Sequence, residues 1–201
     1  MFENLRYKFP SEIEFEPLQV CNASCFSCPY DWLKDEPGYN KKRMSEEQIA
    51  LLLDKFGFNL RKKYKFKGKG LITPFRYSDP LITPHLELIF KKAKKYDLKV
   101  QITTNAKSFN KKKIDIFSNF YEQLADNIAI SIIGSNEKEV KNFMKLDLNE
   151  TLEKLKEIGK ISPKVRGKIK VSLRELRCTK EEFLNLNILK NKLVDIGIDT
   201  S

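Results

Sequence analysis

The sequence predicts an α/β fold in which about five βα units succeed one another along 201 residues. Three observations carry that reading. Strand-length apolar runs at 70–75, 99–105, 127–134 and 168–173 alternate with stretches whose apolar residues recur at helical spacing. Some runs carry polar residues toward their ends, Thr103-Thr104-Asn105 and Ser131 among them, as strands of a parallel barrel do where they face a site. The first run, from residue 13, opens directly into a loop with three cysteines. The length suits one domain, 1–201, and the hydrophobic share of 41% is ordinary for a chain with a sizeable core.

The loop residues Cys21, Cys25 and Cys28 form a C-x3-C-x2-C triplet. Three thiols cannot pair among themselves without leaving one over. The N-terminus, MFENLRYKFP, has neither the apolar stretch nor the small-residue cleavage site of an export signal, and no run approaches 18 apolar residues. A cytoplasmic chain with reduced thiols and no membrane span is therefore expected. Ligation is the natural use of such thiols. Structural zinc takes four closed ligands and a [4Fe–4S] cluster is usually held by four cysteines, so three leave one position open. A zinc knuckle completed by Cys178 or His85 is the alternative, although neither sits in a paired spacing such as C-x2-C.

Cys21-Asn22-Ala23-Ser24-Cys25-Phe26-Ser27-Cys28-Pro29 resembles the cluster loop of the radical S-adenosylmethionine (SAM) enzymes. The resemblance extends over nearly the whole chain and implies a partial (β/α)6 TIM-like barrel, its sixth strand missing after Gly197-Ile198-Asp199. It further implies that Cys21, Cys25 and Cys28 ligate a [4Fe–4S] cluster and that the methionyl amine and carboxylate of SAM chelate the open iron. A donor such as a flavodoxin or ferredoxin would supply the electron. SAM would then yield methionine and a 5′-deoxyadenosyl radical, which takes a hydrogen atom from a peptide, nucleotide or small-molecule substrate. The protein's part is to hold these groups in line and keep water away. Ser27 stands where the family commonly has a bulky residue near the adenine, so Phe26 or Tyr30 is expected to cover that face.

The remaining elements follow in order. Residues 31–43 form a polar connection long enough to fold over the mouth of a site, with Trp32 either packing it down or lining the pocket. Ser45-Glu46-Glu47-Gln48 is a capping box ahead of a helix with Ile49, Leu52, Leu53 and Phe56 on its apolar face, and Gly57 is expected to end that helix in a left-handed cap. After the 70–75 strand, Arg76-Tyr77-Ser78-Asp79-Pro80 is similar by position to the family's Gly-Gly-Glu-Pro signature, which implies that Ser78 and Asp79 receive the SAM ammonium. An Asp-Pro turn ahead of a helix is the plainer reading. His85 reads as a helix-entry residue, and Leu86, Ile89, Phe90 and Ala93 form the core stripe of the next helix.

Thr103-Thr104-Asn105 resembles the family's Thr-Asn-Gly, with Asn105 the candidate for bracing SAM or the cluster loop and an Asx-turn the competing use. A helix is expected over 114–125 and a strand over 127–134. There Ser131 stands where the family often has a hydroxyl meeting SAM; bonding to backbone is the competing use. Residues 136–160 read as one charged helix, 168–173 as the fifth strand and 181–196 as the last helix. Arg174 and Arg177 reach the same rim, and Trp32, Tyr39, Arg76 and Arg174 are expected around the substrate.

The net charge of +11 raises nucleic acid as a partner. The basic residues are 31 lysines and 7 arginines, however, and arginine is the residue that grips phosphates and bases in bidentate fashion. The local candidate is Arg61 to Lys69, where basic and aromatic residues alternate; a solvated helix end is the alternative reading. A zinc-stabilised or degenerate nucleic-acid-binding module, without catalysis, is thus the second functional class.

Overall fold

A computed structural model of the chain describes residues 9–39, 42–174, 179–198 and 200. Its frame is a sheet of five strands: β1 (Glu12–Glu14), β2 (Gly70–Thr73), β3 (Leu98–Thr104), β4 (Leu124–Ile133) and β5 (Ile169–Arg174). Their spatial order is their order in the chain, and every pair is parallel. Such an order winds in one direction, without the reversal of a doubly wound sheet. The α/β class and the five βα units are as expected; among the described residues β1 and β5 are not paired and no sixth strand is present, so no barrel closes.

Parallel neighbours need a crossover, and helices supply each one. Along the chain they are α1 (Pro29–Leu33), α2 (Glu46–Phe58), α3 (Leu86–Lys95), α4 (Lys111–Asn119), α5 (Glu137–Met144), α6 (Leu148–Ile161), α7 (Pro163–Arg166) and α8 (Lys180–Asp195). Strand alternation divides the sheet into two faces. Val100, Ile102, Ile128, Ile130, Ile169 and Val171 are buried in the core, whereas Thr103, Ala129, Ser131 and Ser172 lie on the opposite face and are only half-buried. The polar face is the one left for a ligand.

The capping box at Ser45 and Gln48 is present, and Ile49, Leu53 and Phe56 are buried beneath it. Gly57 does not end the helix. It lies inside α2 because the Tyr96 ring packs on it: a Cβ there would sit 2.3 Å from Tyr96 Cγ. The helix runs on into a wide turn, Asn59–Lys63, whose Arg61 donates to the carbonyls of Phe66 (2.7 Å), Gly68 (2.8 Å), Tyr96 (2.9 Å) and Asp97. The candidate 61–69 segment is organised by a structural arginine, turned inward onto main chain. Arg61→Ala should cost about 3 kcal/mol in denaturant unfolding by leaving these acceptors without their donor, and Arg61→Lys should restore less than half of that.

Two further boundaries differ from expectation. The predicted 114–125 helix stops at Asn119, and Leu124 and Ala125 already belong to β4, since Leu124 pairs with Val100 and is buried. The predicted 136–160 helix is two helices, broken where Lys145 adopts a left-handed conformation (φ +57°) and Asp147 caps α6 by accepting the Glu150 N–H at 2.8 Å. That break sets the end of α5 beside the cysteine loop.

Between α2 and α3, Asp54 accepts from Lys92 Nζ (2.6 Å), Lys95 Nζ (2.9 Å) and the Tyr96 hydroxyl (2.9 Å). Burial alone would raise its carboxyl, but these donors outweigh it and hold the group at about 2. A depressed folded value contributes stability above the unfolded value near 3.8, which is lost as pH falls through about 2. Asp54→Asn should lower stability at neutral pH by about 1–2 kcal/mol, after solvent screening, and flatten the acid limb between about pH 4 and 2. Equilibrium unfolding against pH reads both effects.

Candidate functional site

The C-terminal ends of the strands converge on one cavity of about 330 Å³. Cys21, Cys25 and Cys28 reach it from the loop after β1, Ser78 and Asp79 from the turn after β2, Asn105 from the end of β3, Ser131 from β4, and Arg174 from the end of β5. All seven residues singled out as cluster or SAM ligands thus line the same space. The sequence separates them by up to 110 positions; the parallel sheet removes that distance by putting every C-terminal strand end at one edge.

The cysteine loop is held from behind. Ser24 N–H donates to the Met144 carbonyl (3.2 Å) and Phe26 N–H to the Phe143 carbonyl (2.9 Å), so the last turn of α5 backs the loop. Cys28 N–H donates to the Cys25 carbonyl (2.9 Å), and Cys28 is the N-cap of α1, though its side chain makes no capping bond. The Tyr30 hydroxyl donates to the Cys21 carbonyl at 3.4 Å. Burial pushes the Cys21 thiol up to about 11, and burial together with the charges of Cys21 and Cys28 pushes Cys25 up to about 12. These mutual influences place the three sulfurs in one electrostatic neighbourhood.

Asn105 joins this loop to β3. Its Nδ2 donates to Asn22 Oδ1 (2.8 Å) and lies 3.9 Å from Cys21 Sγ, while its Oδ1 accepts Lys107 N–H (2.9 Å) in an Asx-turn. Bracing and turn formation are served by the same side chain. Asn22 itself was not singled out from sequence; it also donates to Ser108 Oγ at 2.7 Å.

Asp79 lies at the bottom of the cavity and is 3% exposed. Its Oδ2 accepts from Thr104 Oγ1 (2.6 Å) and Asn105 N–H (2.9 Å), and its Oδ1 from Leu81 N–H (2.9 Å). Burial raises its carboxyl above the ordinary range against the pull of these donors. The Asp-Pro turn is real, and the same carboxylate ties the β2 exit to the β3 exit.

Glu16 is a second residue not singled out from sequence. Its Oε1 accepts the consecutive N–H groups of Tyr77 (2.9 Å) and Ser78 (2.7 Å), fixing the turn that leads from β2 to Asp79. The only sequence signal was the acidic alternation Glu12, Glu14, Glu16.

Other expectations are corrected. Arg76 and Arg174 line the cavity, but Trp32 and Tyr39 do not. Trp32 is exposed, with its indole N–H on the Phe26 carbonyl (3.1 Å), and Tyr39 sits edge-on to Tyr30 with its hydroxyl on Gln19. None of the described residues of the 31–43 connection lines the cavity, and Arg43, at its far end, pairs antiparallel with Leu18 after β1. Neither Phe26 nor Tyr30 lines the cavity: Phe26 packs on Phe143 and Tyr30 is buried beneath the loop. Arg177 and Cys178 lie outside the described residues.

Among the described residues no three His, Cys, Asp or Glu side chains form a group that could hold a metal ion, and His85, at the N-cap of α3, is not in the cavity. His85 therefore does not complete a zinc site with the three cysteines, and Cys178, the other candidate to complete one, lies outside the described residues. An iron–sulfur cluster asks something different, one thiolate on each of several irons, and three half-buried free thiols lining one wall fit that demand.

No family model matches the chain, and no curated protein matches its sequence. Solved structures match its fold. SuiB of Streptococcus suis bound to S-adenosylmethionine superposes with a TM-score of 0.67 at 16% identity, over 95% of this chain and 39% of that one. SuiB bound to precursor peptide SuiA gives 0.65 at 17% identity, over 95% and 38%. The present chain thus shares the SuiB fold over nearly its whole length. The chain spans about two fifths of the length of those SuiB chains.

Proposed function

We propose that this chain is the catalytic core of a radical SAM enzyme, with Cys21, Cys25 and Cys28 holding a [4Fe–4S] cluster and SAM bound beside them in the cavity. The observation that carries the proposal is the convergence of all seven residues, from four separate βα units, on one space of about 330 Å³. The fold shared with the SAM-bound SuiB structure supports it. When bound, the cluster and SAM supply a 5′-deoxyadenosyl radical that takes a hydrogen atom from the substrate.

The chain's own residues do the positioning. The Cys21–Cys28 loop, fixed by the Met144 and Phe143 carbonyls and by Asn105, presents its thiols to the cavity from a half-buried wall that limits water. Ser78 and Ser131 offer hydroxyls to SAM from opposite sides, and Asp79 keeps acceptor capacity on Oδ1 for the SAM ammonium. Arg76 and Arg174 place guanidinium groups on the lining, suited to an acidic group on a peptide, nucleotide or small-molecule substrate. A flavodoxin or ferredoxin delivers the electron.

The test is anaerobic reconstitution with iron and sulfide, followed by reduction with dithionite in the presence of SAM. Release of 5′-deoxyadenosine is the expected result. A fully loaded protein that leaves SAM intact would contradict the proposal.

A further inference from the structure

We infer that the outer face of the last helix, α8, is where two copies of this chain pair about a two-fold axis, an inference that does not depend on the cluster assignment above. The helix is anchored to the core by Leu186, Leu189 and Leu193, which are buried. Away from them Phe183, Leu184, Ile188 and Val194 are 58%, 55%, 55% and 60% exposed. Four large apolar side chains on one helix of 16 residues form a patch rather than scattered singles, and such patches mark interaction sites.

The order of residues around the helix fits that patch to a second copy of itself. At about 100° per residue, Lys180, Leu184, Ile188, Asn191 and Asp195 run along the middle of the exposed face, with Phe183 and Val194 on one flank and Glu181 and Lys192 on the other. Two such helices laid antiparallel, with the axis beside Asn187 and Ile188, bring Lys180 to Asp195 of the second copy and Glu181 to its Lys192. The same placement brings Phe183 to Val194 of the second copy and gathers Leu184 and Ile188 of both copies at the axis. Every pairing occurs twice, as an isologous contact requires. Opposite charges meet opposite charges, and apolar side chains meet apolar ones.

Charge supplies the second argument. The chain carries a net +11, which opposes self-association over most of its surface. On α8 the balance is even, Lys180, Lys190 and Lys192 standing against Glu181, Glu182 and Asp195. Among the described residues none of the four exposed groups, Lys180, Glu181, Lys192 and Asp195, is in an ion pair. The neighbouring charges lie at the ends: Lys138 shares a depression with Glu181, and Arg166 packs beside Gly197 just past the helix. Lys180 and Asp195 also oppose the helix dipole, a cation at its N-terminal end and an anion at its C-terminal end. In one chain that placement is unfavourable; across an antiparallel pair each group finds its opposite. A helix face about 24 Å long is a small interface, so pairing is weak, with a dissociation constant on the order of 10 µM.

The test is sedimentation velocity of the full chain from about 2 to 200 µM at about 0.15 M salt. A concentration-dependent rise from the mass of one chain toward that of two is expected. Leu184→Asp/Ile188→Asp should stay at one chain's mass throughout, with a wild-type urea midpoint because both side chains are more than half exposed. Lys180→Asp and Asp195→Lys should each weaken pairing about fivefold, since like charges then meet at both ends, and the combined Lys180→Asp/Asp195→Lys swap should restore it to within about twofold. Leu51→Asp on α2, where the leucine is 56% exposed, should pair as wild type. The inference is overturned if the wild-type chain stays single at the highest concentration, or if Leu184→Asp/Ile188→Asp pairs as wild type, as a contact through the open sheet edge would produce. It is equally overturned if the swap fails to recover what each charge reversal loses.

Discussion

Cys28→Ala is expected to abolish reductive cleavage of SAM while leaving the fold intact. Cys28 initiates α1, where a side-chain cap would contribute about 1 kcal/mol, but its thiol makes no capping bond and is only half-buried. The stability lost on truncation should therefore stay below about 1 kcal/mol, readable as a small shift in the urea midpoint. Its proposed role is different in kind. With one of three thiolates removed the cluster has two protein ligands, and iron retention should fall steeply along with 5′-deoxyadenosine release. Serine at the same position should lose activity too, because the hydroxyl is a harder, more basic donor than thiolate. A Cys28→Ala protein that still cleaves SAM would remove Cys28 from the ligand set.

Asp79→Ala has the opposite profile, a large structural cost. Its carboxylate accepts three hydrogen bonds from Thr104, Asn105 and Leu81 while almost fully buried, and alanine would strand two backbone N–H groups and a hydroxyl in the core. About 3–5 kcal/mol should be lost. Asp79→Asn retains one acceptor oxygen and should lose about half as much. Because Asp79 positions the Asn105 main chain and Asn105 holds Asn22, SAM affinity should fall even in the folded asparagine variant. Urea unfolding and equilibrium dialysis with SAM separate the two effects. A loss under about 1 kcal/mol for Asp79→Ala would contradict the latch described here.

The convergence of the site was legible because its residues sit at motif positions after successive strands, and a parallel sheet brings such positions together whatever their spacing in sequence. Helix cores were legible for an equally local reason: Leu86, Ile89, Phe90 and Ala93 keep helical period and are all buried. What escaped depended on distant partners. Gly57 has the look of a helix stop, but its lack of a side chain serves the Tyr96 ring from the next unit. The break at Lys145 had a local signal, Asp147 three residues before Glu150, overshadowed by the charged helical composition on both sides. Glu16 was invisible because its partners are main-chain N–H groups more than 60 positions away. Trp32 drew attention as a lone tryptophan expected inside, and it is exposed at the back of the cysteine loop. Among the described residues no helix is long and apolar enough to cross a membrane.

Iron and acid-labile sulfide, counted per chain after anaerobic reconstitution, go most directly to the claim that Cys21, Cys25 and Cys28 carry a cluster. Wild-type protein should bind about four of each, and every single cysteine-to-alanine variant should bind far less. Stoichiometric zinc without sulfide, or iron that survives loss of all three cysteines, would contradict it.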